Sequence, residues 1–172
     1  MNREQILRTI RIIQLSMAAA TAIFSGLIVF VYFSAPPTWD IQKPNPVPIF
    51  SVINGIMFVV MWMLGPILLK IMRQAAPTQG KNPAMSPEVT AAVKWQAHRL
   101  VVLATREGSA MFGLVACLLG AKSGVLAAHP IYWLNALPAA AMIRYAISNL
   151  PTEADMDRES ERDGTTVPGT EL

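Results

Sequence analysis

Long runs of mostly apolar residues constrain the fold of this chain more than any other feature of its sequence. Three of them cover Ile12–Phe33, Ile49–Leu69 and Leu100–Ala121, and a shorter fourth covers Ile131–Ile147. A helix needs about 20 mostly apolar residues to cross the hydrocarbon of a bilayer, which the first three runs supply and the fourth reaches only with its flanks. The pattern predicts an all-α fold, namely an integral membrane bundle of four helices.

The helix boundaries follow from the polar and proline-rich segments between these runs. We predict helices at about 5–33, 49–73, 87–121 and 130–149, packed as two antiparallel hairpins in one domain over residues 1–150. The third helix should begin ahead of its apolar run, because Ser86, Pro87 and Glu88 supply an N-cap, a first-turn proline and a first-turn acid. Seven of the 11 acidic residues lie in 151–172, which we predict to be a disordered acidic cytoplasmic tail.

The distribution of basic residues predicts the orientation in the membrane. Cytoplasmic loops of membrane proteins carry more Lys and Arg than the loops on the other side. With the N-terminus inside, 12 of the 14 Lys and Arg residues fall on or near the inner side, and only Lys43 and Lys122 fall on the outer side. We therefore expect a multi-pass protein of the cell membrane with both termini in the cytoplasm. Basic residues that flank the spans also account for the net charge of +3 without nucleic-acid binding.

Small residues recur every fourth position in two of the predicted helices. They are Ala18, Ala22 and Gly26 in the first helix, and Ser109, Gly113 and Cys117 in the third. Small residues at this spacing let two helix backbones approach closely in a membrane. We predict that both stripes are helix-packing faces, and that Asn54 and Asn135 form interhelical hydrogen bonds near the outer side.

Glu107 is the only acidic residue inside a predicted span, and it is the main candidate for chemistry. It lies eight residues beyond Arg99, which is about 12 Å deeper at 1.5 Å per residue. Ionisable residues within spans are costly and are frequently functional. Adjacent helix residues diverge, so Arg106 and Glu107 should not neutralise each other, whereas Arg144 in the fourth helix lies at a similar depth.

Two interpretations of Glu107 follow from this position. In the first, Glu107 pairs with Arg144 or accepts hydrogen bonds, and it ties two helices together. In the second, its desolvated carboxylate binds and releases a proton or another cation, with Arg106 and Arg144 tuning the local charge. The sequence leaves both interpretations open.

The sequence around Glu107 resembles that of a known family. The stretch 103–119 reads LATREGSAMFGLVACLL, in which a carboxylate is followed by a small residue, an aromatic residue and Gly-Leu-Val before a leucine run. It resembles the ion-binding helix of the proteolipid, or subunit c, of rotary ATPases, and this resemblance implies ion binding at Glu107. The second helix departs from that family's glycine-rich partner helix, since its only glycines are Gly55 and Gly65.

The chain is also similar to small four-helix bacterial membrane proteins with a Glu-Gly pair in the third helix. That similarity implies the fold and a bacterial inner membrane, but no activity. We predict no cofactor and no metal site, because His98 and His129 fall at opposite interfaces and Cys117 is the single cysteine. The sequence also contains no nucleophile–base motif or phosphate-binding glycine loop, so we do not expect an enzyme.

The interpretation that these features favour is a non-enzymatic subunit or scaffold module of a membrane assembly. Its expected partners are the lipid bilayer and either another membrane protein or a second copy, contacted through the small-residue faces. The alternative is a proton- or cation-translocating, proteolipid-like protein that uses Glu107. A small-solute transporter is disfavoured, because four short spans leave little room for alternating access.

Overall fold

The computed structural model describes residues 3–34, 45–75 and 87–162, and within these ranges the fold is all-α, without a strand. Its helices are α1 (Arg3–Ser34), α2 (Val47–Ala75), α3 (Pro87–Lys122), the short α4 (Val125–Ala128), a 3-10 segment (Pro130–Ala136), α5 (Leu137–Ser148) and α6 (Glu153–Arg162). The first three long helices agree with the predicted boundaries to within two residues. The helix start predicted around Ser86 is confirmed at Pro87, while Ser86 itself lies outside the described residues.

Three helices are long and apolar enough to cross a membrane. These candidate spans are Arg3–Ser34, the part of α2 over Val47–Gly65, and the part of α3 over Ala92–Lys122. Each has the length that the hydrocarbon of a bilayer requires. The chain therefore has the helices of a multi-pass membrane protein, as the apolar runs predicted.

The predicted fourth helix over 130–149 is corrected by the structure, because it is not one continuous α-helix. It begins as the 3-10 segment and becomes α-helical only at Leu137. The reason is Pro138, which has no backbone N–H and whose ring would clash with the carbonyl of Leu134 in an α-helix. The backbone N–H of Leu137 instead donates to the carbonyl of Leu134, which is the tighter 3-10 bond. Neither piece alone has the length of a span.

The long helices pack around α3, which contacts α1, α2 and α5, whereas α1 and α2 barely touch each other. Asn54 of α2 lies beside Gly113 of α3, and Gly65 lies beside Thr105, so these two helices run antiparallel. The start of α1 packs with the start of α3, and Gln14 of α1 meets the end of α5. Helices α1 and α3 therefore run in one direction, and α2 and α5 run in the opposite direction on the sides of the central α3.

The described bundle buries a few polar side chains within an apolar core, and it exposes many large apolar side chains. The buried polar residues are Gln14, Thr21, Asn54, His98, Ser109 and Asn135. Side chains such as Ile23 and Phe33 are meanwhile 74% and 79% exposed. The exposed apolar surface departs from that of a water-soluble domain, in which large apolar side chains are buried first.

The two small-residue stripes differ in burial. Ser109, Gly113 and Cys117 are buried in α3, whereas Ala22 and Gly26 are exposed on α1 and only Ala18 of that stripe is buried. Each step of four residues turns a helix by 40°, so a strict four-residue repeat drifts off a narrow contact face. The buried face of α1 mixes steps of three and four, through Gln14, Ala18, Thr21 and Ile28. The α3 stripe stays buried because neighbours cover α3 on more than one side.

Residues 153–162 form the helix α6, where the sequence predicted part of a disordered tail. Thr152 and Asp155 start this helix with a reciprocal capping arrangement: the backbone N–H of Thr152 donates to the Asp155 carboxylate at 3.0 Å, and the backbone N–H of Asp155 donates to the Thr152 hydroxyl at 3.3 Å. Met156 is 4% exposed in a cluster with side chains from the first turns of α1 and from α3. Contacts with α1 and α3 order this segment, and such contacts cannot be predicted from its composition.

Charge pairs hold α6 against the bundle. Asp157 pairs with Arg3, and Asp155 lies 3.7 Å from the Arg99 guanidinium. Partial burial is the largest influence on the pKa of Asp155 and acts to raise it, but hydrogen bonds from Thr152 and the charges of Arg99 and Arg158 together lower it. The docking of α6 is thus favoured while this carboxyl is ionised, and it weakens as the pH falls through the lowered pKa.

Gly113 is the most tightly covered of the described glycines, and replacing it tests this architecture. A Cβ at Gly113 would meet the backbone oxygen of Asn135 and lie 2.9 Å from Nδ2 of Asn54, whereas a Cβ at Gly55 of α2 would have no neighbour within 4 Å. We expect Gly113→Ala to lower the free energy of unfolding by about 1–3 kcal/mol, because the core would be overpacked. The measurement is denaturant-induced unfolding in mixed micelles.

Gly55→Ala is the matched control for this change. It adds the same methyl group to an exposed helix position, so it should leave the free energy of unfolding within about 1 kcal/mol of wild type or raise it. Equal effects of the two substitutions would contradict the packing described for Gly113.

Candidate functional site around Arg106 and Glu107

Arg106 and Glu107 lie in the middle of α3, the helix that contacts every other long segment. Because adjacent residues of a helix project about 100° apart, the two side chains enter different environments. Both are half-buried. The prediction that they do not neutralise each other is confirmed, since no ion pair joins these two described residues.

The guanidinium of Arg106 is held between two aromatic rings. Its Cζ lies 4.6 Å from the centroid of the Trp62 ring on α2 and 3.4 Å from the centroid of the Tyr145 ring on α5. A cation over the face of an aromatic ring is attracted by the quadrupole of the ring, and more strongly where water is excluded. Arg106 therefore joins α2 and α5 through α3. This arrangement stabilises the bundle and leaves the charge without a carboxylate partner among the described residues.

Glu107 has a different environment. Its carboxylate makes no hydrogen bond and no ion pair with any residue in the described part of the chain. On one side along α3 it neighbours the fully buried Leu103 and Ala110, and on the other side the exposed Ala104 and Gly108. Glu107 thus lies at the edge of an uncovered strip of α3 and is accessible from outside the bundle.

Arg144 is exposed on α5 and does not pair with Glu107. The first interpretation of Glu107, an ion pair with Arg144 inside one chain, is therefore corrected. The physical reason is direction: α5 buries Ala139, Met142 and Ala146 against its neighbours, and Arg144 lies about 160° around the helix from Met142. Its side chain consequently points away from the bundle. The similar depth predicted for Glu107 and Arg144 agrees with the contact between Arg106 and Tyr145. Arg106 directly precedes Glu107 in the sequence, and Tyr145 directly follows Arg144.

A second polar group surrounds the end of α5, where helix carbonyls lack intrahelical donors. The Gln14 amide donates to the carbonyls of Ala146 at 2.7 Å and Asn149 at 3.0 Å. Arg99 reaches the carbonyl of Asn149 at 3.4 Å, and the Arg11 side chain donates to the carbonyl of Pro151 at 2.9 Å. Side chains of α1 and α3 thus satisfy the end of α5, and two of them place positive charge where the helix dipole favours it.

Sequence reasoning missed the role of Gln14 and Arg11. The available signal was the amide of Gln14 within an apolar run, because a buried amide in a span has to find a hydrogen-bond partner. Its partners are backbone carbonyls more than 130 residues away in sequence, and no local pattern identifies them.

Asn54 and Asn135 form interhelical hydrogen bonds, as predicted, and the structure shows that they form them with each other. The Asn54 amide donates to the backbone carbonyl and the side-chain oxygen of Asn135 at 3.3 and 3.2 Å. The Asn135 amide in turn donates to the Ser51 hydroxyl at 2.7 Å and to the carbonyl of Tyr132 at 2.9 Å. This network ties the 3-10 segment to α2 over Gly113. It is a structural cluster, because its donors are used within the chain.

The described residues contain no group of three or more His, Cys, Asp or Glu side chains that could hold a metal ion. No family model matches the chain, and comparisons with curated proteins and with solved structures likewise find no match. The resemblance of α3 to the ion-binding helix of the rotary proteolipid, and that of the whole chain to small bacterial four-helix proteins, therefore stay predictions from the sequence.

Two substitutions of Tyr145 test the aromatic contact of Arg106. Both Tyr145→Leu and Tyr145→Phe remove the hydroxyl, to which Arg99 donates at 3.4 Å, but only Tyr145→Leu removes the ring beneath the guanidinium. We expect Tyr145→Leu to lower the free energy of unfolding by about 2 kcal/mol more than Tyr145→Phe does. Micelle unfolding measures both, and equal losses would show that the ring contributes nothing beyond its hydroxyl.

Proposed function

We propose that this chain is a multi-pass membrane protein with four crossings and both termini in the cytoplasm, and that it serves as a non-enzymatic subunit or scaffold of a membrane assembly. The observation that carries the membrane assignment is the exposed apolar surface of helices that bury amide side chains. The amides of Gln14, Asn54 and Asn135 are buried and hydrogen-bonded, while the outer surface carries large apolar side chains. A bilayer is the solvent in which that arrangement is favourable.

The fourth crossing in this proposal is the 3-10 segment together with α5. The 3-10 segment has 7 residues and α5 has 12, and at about 2.0 and 1.5 Å per residue they extend about 32 Å. That length matches a hydrocarbon thickness of about 30 Å. Tyr132 and Trp133 occupy its start, where aromatic side chains favour the interface of a membrane.

The proposed orientation rests on charge. Basic residues gather at the end of the bundle that holds the start of α1, the start of α3 and α6. Those among the described residues include Arg3, Arg8, Arg11, Lys94, Arg99 and Arg158. The opposite end of the described bundle carries Lys122. The excess of positive charge favours a cytoplasmic location for the first of these ends.

The role as a subunit is supported by two charged side chains that have neither an ion-pair partner nor an aromatic contact within the described chain. Glu107 and Arg144 have no ion-pair partner among the described residues, although both belong to segments that we place in the bilayer. Charged side chains in a membrane normally pair with one another or face a polar cavity. A partner outside the chain would supply what the chain itself does not.

Membrane topology and assembly test this proposal together. The protein should stay in membranes after alkaline carbonate extraction, and reporter tags at residues 1 and 172 should both be accessible only from the cytoplasmic side. In lipid nanodiscs drawn directly from the membrane, its particle mass should exceed that of one chain. Release by carbonate would contradict membrane integration, and a tag accessible from the other side would contradict the proposed orientation. A single chain in every particle would contradict the role as a subunit.

A second candidate function is favoured by the accessible and unpaired carboxylate of Glu107. In this alternative the protein translocates protons or other cations by binding them at Glu107 within the membrane, with Arg106 and Arg144 setting the local charge. The half-buried position of Glu107 beside exposed small residues supports access to the carboxylate from outside the bundle. Binding and release of a cation by a desolvated carboxylate is the chemistry required.

Proton flux into liposomes separates the two functions. A translocating protein should lose its flux on Glu107→Gln and keep it on Glu4→Gln, which removes an exposed carboxylate near the N-terminus. A subunit or scaffold should show no flux above that of empty liposomes in any of the three proteins. Flux that survives Glu107→Gln would exclude this carboxylate as the translocation site.

A further inference from the structure

Glu107 and Arg144 lie within about one helical turn of each other along the bundle. The Arg106 guanidinium lies 3.4 Å from the centroid of the Tyr145 ring, so these two side chains meet in one layer between α3 and α5. Glu107 directly follows the first of these residues, and Arg144 directly precedes the second. Two opposite charges therefore lie at similar depths of the structure without meeting.

The two charges lie on different sides of the bundle. Arg144 is on the outer face of α5, turned away from the helices that α5 contacts. Glu107 borders the uncovered strip of α3 that contains Ala104 and Gly108, and this strip runs between α1 and α2, which barely touch each other. Since one face carries the acid and another carries the base, a second copy in the same orientation can bring them together.

We propose that copies of this chain associate head to tail in the membrane, with the outer face of α5 of one copy on the α3 strip of the next and Arg144 paired with Glu107. The inference rests on the proposed function, because it names the partner of the subunit as a second copy. Copies that share a membrane orientation keep their residues at equal depth. The similar depth of Glu107 and Arg144 within one chain therefore holds between chains as well.

The shape of the strip suits a helix. Ala104 and Gly108 are exposed, and a Cβ built at Gly108 would have no neighbour within 4 Å. Such small residues let a second helix approach closely. The outer face of α5 offers Leu137, Ala140, Arg144 and Ile147, all exposed and spaced as one helix face. An apolar face with one positive charge thus meets an apolar strip with one negative charge.

Charge complementarity selects a second copy over the other occupants of these faces. An anionic lipid headgroup could meet Arg144 and a free cation could meet Glu107, but neither would satisfy both groups at a common depth. A head-to-tail contact is heterologous, so it closes into a ring or continues as a chain of copies. Each added copy then satisfies one acid and one base.

Charge reversal with mixing tests the pairing directly. Glu107→Arg would place two arginines at every contact, and Arg144→Glu would place two glutamates there. Each variant alone should assemble at least about tenfold less than wild type, because like charges oppose each other at a desolvated contact. Co-expression of the two variants with different tags should restore assembly, since every contact between unlike variants again joins an arginine to a glutamate. Subunit counting in nanodiscs measures all three.

Lys94→Glu is the control, because Lys94 is an exposed cation of α3 outside the strip, and it should assemble as wild type does. Normal assembly of either single reversal would overturn the pairing, and so would failure of the mixture to assemble. Wild-type particles that contain one copy with a different protein would also overturn it, while leaving the proposed subunit role intact. A chain that is not retained in membranes would instead overturn the proposed function.

Cysteine cross-linking provides a measurement that does not depend on the folding of charge variants. Gly108→Cys in one tagged copy and Ala140→Cys in another, both with Cys117→Ala, should form a mixed disulfide in membranes. Gly55→Cys with Ala140→Cys is the matched pair, because Gly55 is an exposed glycine of α2 away from the strip. Equal yields from the two pairs, or no mixed product from the first, would overturn the proposed contact.

Discussion

The guanidinium of Arg106 joins three helices, and the arrangement of the bundle depends on that contact. Because Arg106 lies between the rings of Trp62 and Tyr145, it fixes α2 and α5 on either side of α3 at one level. A cation between two aromatic faces needs no carboxylate close by, so the charge is accommodated in apolar surroundings. Glu107 and Arg144 are the sequence neighbours of Arg106 and Tyr145, the two residues that make the closer of these contacts.

Two polar networks complete this framework at either end. Near one end, Asn54 and Asn135 join α2 to the 3-10 segment above Gly113, where a side chain would not fit. Near the other, Gln14 and Arg99 satisfy carbonyls at the end of α5. Backbone carbonyls that find no water in a bilayer must be satisfied by the protein itself. The buried amides are therefore structural, and the unpaired charges on the outer faces are what remains for contacts with other molecules.

The chain thus satisfies most of its buried polar groups internally but leaves two charged side chains without an ion-pair partner. Its buried amide N–H groups and the carbonyls at the end of α5 are hydrogen-bonded internally, which favours a stable unit. Its charges at Glu107 and Arg144 have no ion-pair partner among the described residues, and they lie on separate faces at similar depths. A subunit that repeats in the plane of the membrane uses both features, whereas an ion carrier needs only the carboxylate.

The sequence predicted the helices that depend on composition along the chain. The apolar runs gave α1, α2 and α3 nearly to their ends, and Pro87 located the start of α3. The sequence also predicted interhelical hydrogen bonds from Asn54 and Asn135, because isolated amides in apolar runs have few alternatives. These inferences succeed since length, hydropathy and capping are local properties.

Only the tertiary structure decided the features that depend on distant residues. Composition predicted disorder after residue 150, but contacts of Met156 and Asp155 with the bundle order α6. The four-residue repeat placed Gly26 on a packing face, yet the 40° drift of that repeat leaves it exposed. Depth in the membrane suggested that Glu107 pairs with Arg144, whereas the rotation of α5 turns the arginine outward. Sequence fixes what lies along one helix, and only packing fixes which way each helix faces.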